Sequence, residues 1–313
     1  MRIRSRLTEL ETARASLEAQ LTDLLRPPQL AITAKATTAT TGNLTAASST
    51  IEKTALFRRL FAGRTDVFPV RWENSMKGRS GYAPACANEW VKGICGKPQV
   101  KCGECPNQAF IPVSDDVIAR HLRGNGVRDR VNSAFVAGVY PLLLDETCWF
   151  LAIDFDGESW GHNALAYLET CRARRVPAAL ERSRSGNGGH IWIFFSEPTP
   201  ARDARRLGSM LVTETMERRP EIGFQSYDRF FPSQDTMPVG GFGNLIALPL
   251  QRHARERGNS VFIDDELRPY DDQWAFLSSL TRINRERIAG LIEDAEARGR
   301  VLGVRTLHDR LSH

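Results

Sequence analysis

Residues 147–156 read TCWFLAIDFD, an apolar run that ends in two acids. An apolar run of this length is typical of a buried β-strand. Side chains alternate between the two faces of a strand, so Asp154 and Asp156 share one face and Phe155 lies on the other. The segment therefore predicts a buried strand whose end presents a pair of carboxylates.

The sequence that follows this strand predicts a mixed sheet. Residues 163–175 form a helical pattern with Ala164, Leu168 and Cys171 on one face, and Pro177 ends it. Residues 178–195, AALERSRSGNGGHIWIFF, predict two strands joined by a glycine-rich turn, residues 200–219 a helix, and LIALPL at 245–250 a further strand. The order strand, helix, strand, strand, helix predicts an α+β fold, an RRM-like sheet with helices on one face.

The rest of the chain divides by composition. Leucines at helical spacing predict an amphipathic or coiled-coil helix over residues 1–26, and a stretch rich in Ala and Thr predicts a flexible linker over 27–50. Residues 51–137 begin with a short helix and contain the clustered cysteines, 138–280 hold the α+β core, and 281–313 predict charged C-terminal helices.

Composition narrows the class of protein. The chain has 313 residues, 42% of them hydrophobic, and its 42 Lys and Arg against 37 Asp and Glu give a net charge of +5. This weak excess of positive charge suits a polyanionic partner. A long apolar run and a secretory signal are both missing, so we expect a cytoplasmic protein with no membrane partner.

The acid pair predicts a metal site. Hard carboxylate oxygens side by side suit Mg2+ or Mn2+, because a divalent cation offsets the repulsion between like charges. The alternative is a pair of solvated acids at a strand end, which the short DxD pattern alone does not exclude.

The glycine-rich turn predicts an anion site beside the acids. Its bare amides can approach phosphate oxygens, and nearby side chains can add positive charge. The candidate nucleotide-binding residues are Arg182, Arg184, Ser185, Gly186, Gly188 and His190, with Gly189 in the same turn. An ordinary hairpin turn and a structural histidine are the alternatives for each feature taken singly. The combination with the acid pair favours the anion site.

Four of the six cysteines cluster between residues 86 and 105. Cys102 and Cys105 form a CxxC knuckle, and Cys86 and Cys95 complete a candidate set for one structural Zn2+, with His121 as the substitute for Cys86. The alternative is that Cys86 and Cys95 are buried thiols. The two remaining cysteines, Cys148 and Cys171, stand in apolar patterns and are predicted to be core thiols.

These motifs resemble the archaeo-eukaryotic primase superfamily. Its acidic pair matches Asp154 and Asp156, its small-residue loop matches Ser185 to His190, and its third acid matches Asp228 or Asp235, of which we favour Asp228. The cysteine block and GFGNLIALPLQ, residues 241–251, are similar to a narrower branch, the primase domain of TOTE conflict systems and the related CRISPR-associated primase-polymerases. The likeness covers roughly residues 51–275.

The resemblance implies a template-directed nucleotidyltransferase, a DNA primase-polymerase. It implies two catalytic Mg2+ or Mn2+ ions on Asp154, Asp156 and Asp228, and a triphosphate held by His190. The implied partners are a single-stranded DNA or RNA template, NTP or dNTP, and a helicase or nuclease in the same protein or operon.

Two other functions remain open at this point. The sequence AIDFDG, residues 152–157, is similar to the opening motif of haloacid-dehalogenase-type phosphatases, but Glu158 stands where that family has Thr or Val. A non-catalytic nucleic-acid-binding module of a helicase or nuclease system is the other alternative, and the complete acid pair argues against it.

Overall fold

The computed structural model describes residues 44–124, 135–220 and 229–299. The predicted helix over 1–26, the linker up to residue 43, Asp228 and the end of the chain from residue 300 lie outside the described residues. The described part belongs to one compact unit, Asn43–His313.

The elements follow one another in a mixed α/β order. They are α1 (Thr50–Leu60), β1 (Pro69–Asn74), β2 (Arg79–Pro84), α2 (Asp115–Arg123), β3 (Gly138–Val139), β4 (Thr147–Asp156), α3 (Trp160–Ala173), β5 (Ala179–Arg182), β6 (Gly188–Pro200), α4 (Ala201–Arg218), β7 (Arg229–Phe231), β8 (Ile246–Ala247), α5 (Arg252–Arg255), β9 (Val261–Phe262), α6 (Gln273–Ser279) and α7 (Arg285–Ala297). Single 3-10 turns occupy Ser75–Lys77 and Cys102–Glu104. Elements β4 to α4 match the order predicted from sequence.

Five strands form the central sheet in the order β7-β4-β6-β5-β9, and every neighbouring pair is antiparallel. The strand predicted within LIALPL is correct in kind but short, because β8 has two residues and pairs with β3 in a separate sheet. A third sheet is the β1–β2 hairpin. The mixed α/β class is confirmed, and the RRM-like detail stays a prediction.

Helices α3 and α4 pack on the face of the sheet that carries the odd-numbered residues of β4. Phe155 lies 5.7 Å from Tyr167 of α3, ring centre to ring centre. A side chain on Gly208 of α4 would meet Leu151 at 2.8 Å, so the helix approaches the strand closely there. Cys148 and Cys171 are fully buried, as predicted, and burial raises the pKa of both thiols.

The opposite face of the sheet is apolar for part of its length only. Phe61 of α1 packs edge-on against Trp192 at 5.0 Å and against Phe194 at 5.5 Å, and Phe150 lies 5.1 Å from Trp192. One alternation further along the strands, the same face carries His190 and Asp154. The aromatic layer therefore ends where the polar residues begin.

The last residues of the predicted linker pack against the core of the compact unit to which they belong. Leu44 is partly buried against the core, and the backbone N–H of Ala46 donates to the Asp272 carboxylate at 2.7 Å. Ser49 then caps α1 in a reciprocal pair with Glu52. Within the described residues, no helix is both long enough and apolar enough to cross a membrane.

Candidate active site

The candidate site is a row of polar residues across four strands of the sheet. Asp154 of β4 pairs with Arg229 of β7 on one side and with His190 of β6 on the other, and His190 pairs with Glu181 of β5. Directly opposed residues in antiparallel strands point to the same face. The topology therefore gathers residues from distant parts of the sequence on one surface.

The two acids of the DxD pair share that surface, as predicted. The Asp154 side chain is 14% exposed, whereas Asp156 at the strand end is exposed to solvent. The Cα atoms of residues i and i+2 on a strand lie about 7 Å apart. At this separation the two carboxylates can turn toward each other and bind the same cations. Their oxygens are the donors that Mg2+ and Mn2+ prefer.

His190 lies between two acids. Its Nε2 is 3.4 Å from Asp154 Oδ1, and its Nδ1 is 3.0 Å from Glu181 Oε2. Burial lowers the pKa of His190, but the nearby carboxyl groups of Glu181, Asp154 and Asp156 outweigh burial, so the pKa is raised above its ordinary value. The ring is thus held where a cation is favoured, beside the acid pair.

Backbone and side-chain bonds close the glycine-rich turn on itself. The N–H of Gly186 donates to the Ser183 carbonyl at 3.0 Å, and the N–H of Asn187 donates to Ser185 Oγ at 3.3 Å. Gly186 has φ +85°, a conformation that favours glycine. The turn is therefore folded before any anion binds.

Gly188 and Gly189 are required by packing. A Cβ on Gly188 would lie 2.3 Å from Asp156 Oδ1, and a Cβ on Gly189 would lie 2.5 Å from the ring of Trp160. The missing side chain of Gly188 makes room for the Asp156 carboxylate. Sequence reasoning assigned this glycine to phosphate binding and did not foresee that contact.

The two arginines of the motif have different surroundings. The guanidinium of Arg182 donates to the carbonyls of Gly258, at 2.9 Å, and Leu267, at 2.5 Å, and so fixes the chain beside β9. Arg184 is partly buried and lies near Tyr82 of the β1–β2 hairpin. Burial raises the pKa of Tyr82 despite this positive neighbour. Two carbonyls hold the Arg182 guanidinium, and the placement of both arginines at one anion site stays a prediction.

Of the two candidates for the third acid, Asp235 lies in the described part of the chain. Asp235 forms an ion pair with Arg205 of α4. Asp228 lies outside the described residues, and the next residue in the chain is Arg229, the partner of Asp154 in the sheet. Within the ranges that the structure describes, no three His, Cys, Asp or Glu side chains form a metal-binding group.

The four clustered cysteines line one small pocket, together with residues such as Lys97 and Phe110. All four are free thiols that are partly buried. The metal-binding arrangement predicted for them is not formed in this described segment. Of the predicted zinc-binding module, the structure shows that the four cysteines lie around one pocket.

His121 is not a substitute ligand for Cys86. Its Nε2 is 2.9 Å from the Pro249 carbonyl, and its Nδ1 accepts the N–H of Ala137 at 3.1 Å. Both ring nitrogens are engaged in the core, and burial lowers the pKa of His121 to about 4. The prediction was wrong because a helix, α2, carries this histidine inward.

Comparison with known families decides what this arrangement belongs to. Residues 52–291 match the model of the TOTE conflict system, Archaeo-Eukaryotic Primase domain. The chain belongs to this family. The resemblance predicted from the motifs is confirmed, and neither the phosphatase nor the CRISPR-associated branch gains support from the match.

Two further comparisons concern this primase domain. It is similar to the polymerase domain of Ligase D from Mycobacterium tuberculosis, in complex with DNA, at 16% identity and a TM-score of 0.36, covering 83% of this chain and 90% of that one. No curated protein matches the primase domain.

Sequence reasoning missed Glu181, which contacts His190 in this primase domain. The residue is 2% exposed, and its carboxyl group also accepts the Trp192 Nε1–H at 2.8 Å. A signal was present in the sequence, because Glu181 follows Ala179 and Leu180 in a strand pattern. An acid inside an apolar strand requires a partner, since burying a lone charge is costly.

Proposed function

We propose that this chain is a DNA primase-polymerase, a nucleotidyltransferase that joins nucleoside triphosphates on a nucleic-acid template. The observation that carries the proposal is the juxtaposition of Asp154, Asp156 and His190 at the polar end of the sheet, in a chain of the primase family. Acids and an imidazole that can donate hydrogen bonds, side by side, suit a substrate that arrives with metal ions and phosphates.

Asp154 and Asp156 are proposed to hold two Mg2+ or Mn2+ ions, with Asp228 as the third acid. Oxygen donors on one face fit these hard cations. Asp228 is proposed on the match to the family motif, and it immediately precedes β7 in the sequence. When bound, such ions activate the attacking 3'-hydroxyl and neutralise charge on the leaving pyrophosphate. Asp235 is a poorer candidate because Arg205 already pairs with it.

His190 is proposed to bind the triphosphate through Nε2, the ring atom that faces the acid pair. Arg184, Ser185 and Gly186 lie in the adjoining turn and are proposed to contact the same anion, while Gly188 makes room for Asp156. Arg182 is proposed to stabilise this turn indirectly, through its bonds to the carbonyls of Gly258 and Leu267.

The cysteine region is proposed to bind one structural Zn2+ through Cys86, Cys95, Cys102 and Cys105. Two facts support this assignment. The four thiols line the same pocket, and residues 86–116, all of them described, contain no buried hydrophobic residue. A segment without a core of its own commonly depends on a metal or on cross-links for stability.

Primer extension tests the proposal. The protein is incubated with a single-stranded DNA template, Mn2+ and labelled NTP or dNTP, with and without a primer, and a parallel reaction uses an RNA template. We expect labelled products that depend on template and on Asp154 and Asp156. Asp235→Asn is measured beside them and should retain activity, because Arg205 already pairs with Asp235; its inactivation would make Asp235 the third acid. Template binding without synthesis under all conditions would instead support the non-catalytic module.

A further inference from the structure

The inference concerns Glu181, a buried acid behind the proposed triphosphate ligand. Its side chain is 2% exposed, in the interior of a sheet whose neighbouring strands are apolar. A carboxyl group in such a position is costly unless hydrogen-bond donors surround it. The donors around Glu181 therefore indicate what the residue does.

Three side chains meet the two oxygens of Glu181. Oε2 accepts the indole N–H of Trp192 at 2.8 Å and lies 3.0 Å from His190 Nδ1, while Ser260 Oγ is 3.4 Å from Oε1. Because Oε2 already acts as an acceptor for Trp192, the matching role for His190 Nδ1 is that of a donor. Trp192 would be satisfied by any neutral acceptor, so His190 is the partner that calls for an acid.

The contact fixes both the direction and the hydrogen-bonding role of the His190 ring. With Nδ1 bound to Glu181, Nε2 faces Asp154 at 3.4 Å, toward the end of the sheet that carries the acid pair. Trp192 in turn is fully buried and packed against Phe61, Phe150 and Phe194, so Glu181 is itself anchored. A hydrogen-bond partner that fixes the orientation of a binding histidine commonly affects the binding affinity strongly.

We propose that Glu181 is a positioning residue, which orients His190 through Nδ1 so that Nε2 is presented to the triphosphate of the incoming nucleotide. The idea rests on the proposed function for the identity of that anion. The orientation itself is a property of the free protein and can be tested separately.

The test compares Glu181→Gln and Glu181→Leu with wild type. Gln keeps a neutral acceptor, and Leu removes it. The matched control is Glu214→Gln, which neutralises another acid that is 2% exposed, paired with Arg174 on the helical side of the molecule. Each variant is measured for melting temperature, for affinity toward a non-hydrolysable nucleoside triphosphate with Mg2+, and for the 15N signals of the His190 ring.

We expect the Leu variant to lose triphosphate affinity on the order of tenfold, the usual effect of removing an orienting partner, with the Gln variant in between. The Nδ1 signal of His190 should shift in both, and the apparent KM for nucleotide should rise more than kcat falls. Glu214→Gln should lower the melting temperature alone. Unchanged His190 signals, or changed signals with unchanged triphosphate affinity, would overturn the proposal.

Failure of the proposed function gives a different pattern. If the wild-type protein synthesises nothing but binds triphosphate, and the Glu181 variants weaken that binding and shift the His190 signals, the positioning role stands without polymerase activity. If only melting temperatures fall, for Glu181 and Glu214 variants alike, both acids are structural and the positioning role is lost.

Discussion

The acidic end of the sheet and the cysteine region, residues 86–116, are held in place by different means. Behind the acidic end lies a continuous core, in which Ile153, Ile191 and Trp192 are fully buried. The cysteine region has exposed apolar residues instead, among them Trp90 at 62% and Ile94 at 42%. Core packing is the main source of rigidity in proteins, so the first region is formed by the chain itself.

Side-chain amides replace a core in the cysteine region. Gln108 donates to the carbonyls of Cys102 and Gly103 at 2.9 Å each, Asn107 donates to Ile94 at 2.8 Å, and Asn88 donates to Asn107 at 2.9 Å. Exposed hydrogen bonds of this kind each contribute about 1 kcal/mol at most. The comparison teaches that the sheet around the acid pair is held by its own core, whereas the cysteine region has no core behind it.

The largest expected effect is at the acid pair, where loss of activity is expected without loss of the fold. Asp154→Asn and Asp156→Asn should each lower nucleotide addition more than about 100-fold, because groups that stabilise transition-state charge have effects of this size. Melting temperature should change little for Asp156→Asn, whose side chain is exposed, and more for Asp154→Asn, whose side chain is 14% exposed and contacts His190. Primer extension and thermal melting of the same samples check this, with Asp235→Asn as the control that retains activity. Near-normal synthesis by either variant would remove the acid pair from the mechanism.

The second prediction concerns the cysteine region, where we expect loss of local stability while the acid pair keeps its metal binding. Cys102→Ser or Cys105→Ser should abolish zinc binding and speed hydrogen exchange across residues 86–116, while Mn2+ binding at the acid pair persists, because thiolates and carboxylates select different metals. Elemental analysis of protein purified without chelator should find about one zinc per chain.

The controls for the zinc prediction use the buried thiols. Cys148→Ala should cost stability but leave zinc content unchanged, since Cys148 is enclosed in the core beside Thr199. A wild-type protein free of zinc, with hydrogen exchange in residues 86–116 as slow as in the sheet, would contradict the contrast between the two regions.

The two regions also differ in how far sequence reasoning reached. Period-2 alternation was enough to place Asp154, Asp156 and Phe155, because a buried strand leaves no other arrangement. The cross-strand contact between Glu181 and His190 depends on the register of β5 against β6, and a local sequence pattern does not predict that register. For His121 the composition of the segment suggested zinc, yet α2 turns the ring inward to Ala137 and Pro249. Tertiary contacts outweighed the local signal there.

His121 gives the third prediction, a pH dependence at the junction between the two regions. The folded protein keeps this ring neutral with a pKa of about 4, whereas an unfolded histidine titrates near 6.5. The unfolded state therefore takes up a proton first as pH falls, and stability is lost between about pH 6.5 and 4, by about 3 kcal/mol in all. His190 has the opposite sign, since its pKa is raised and its contribution is lost as pH rises.

Denaturant unfolding at several pH values checks the His121 prediction. His121→Gln should be less stable at neutral pH but lose less further stability on acidification to pH 4 than wild type does. His253→Gln is the control, because the His253 side chain is 49% exposed and lies outside the core. If the free energy of unfolding fell equally steeply with pH in wild type and His121→Gln, His121 would not be the source of the acid sensitivity.

The smallest effect is expected at Gly188, which sharpens the comparison because it lies beside Asp156 in the acidic end of the sheet. An alanine Cβ would lie 2.3 Å from Asp156 Oδ1 and 2.7 Å from the Phe155 carbonyl, so the exposed carboxylate must turn and the backbone must shift slightly. Overpacking of this kind costs about 1 to 3 kcal/mol of stability. Turning Asp156 should also raise the Mn2+ concentration needed for half-maximal nucleotide addition severalfold. Gly290→Ala is the matched control, because no atom lies within 4 Å of its added Cβ and alanine favours a helix. If Gly188→Ala lost stability but kept its Mn2+ requirement, the glycine would serve only the packing of β4 on β6, and the room it leaves for Asp156 would have no part in metal binding.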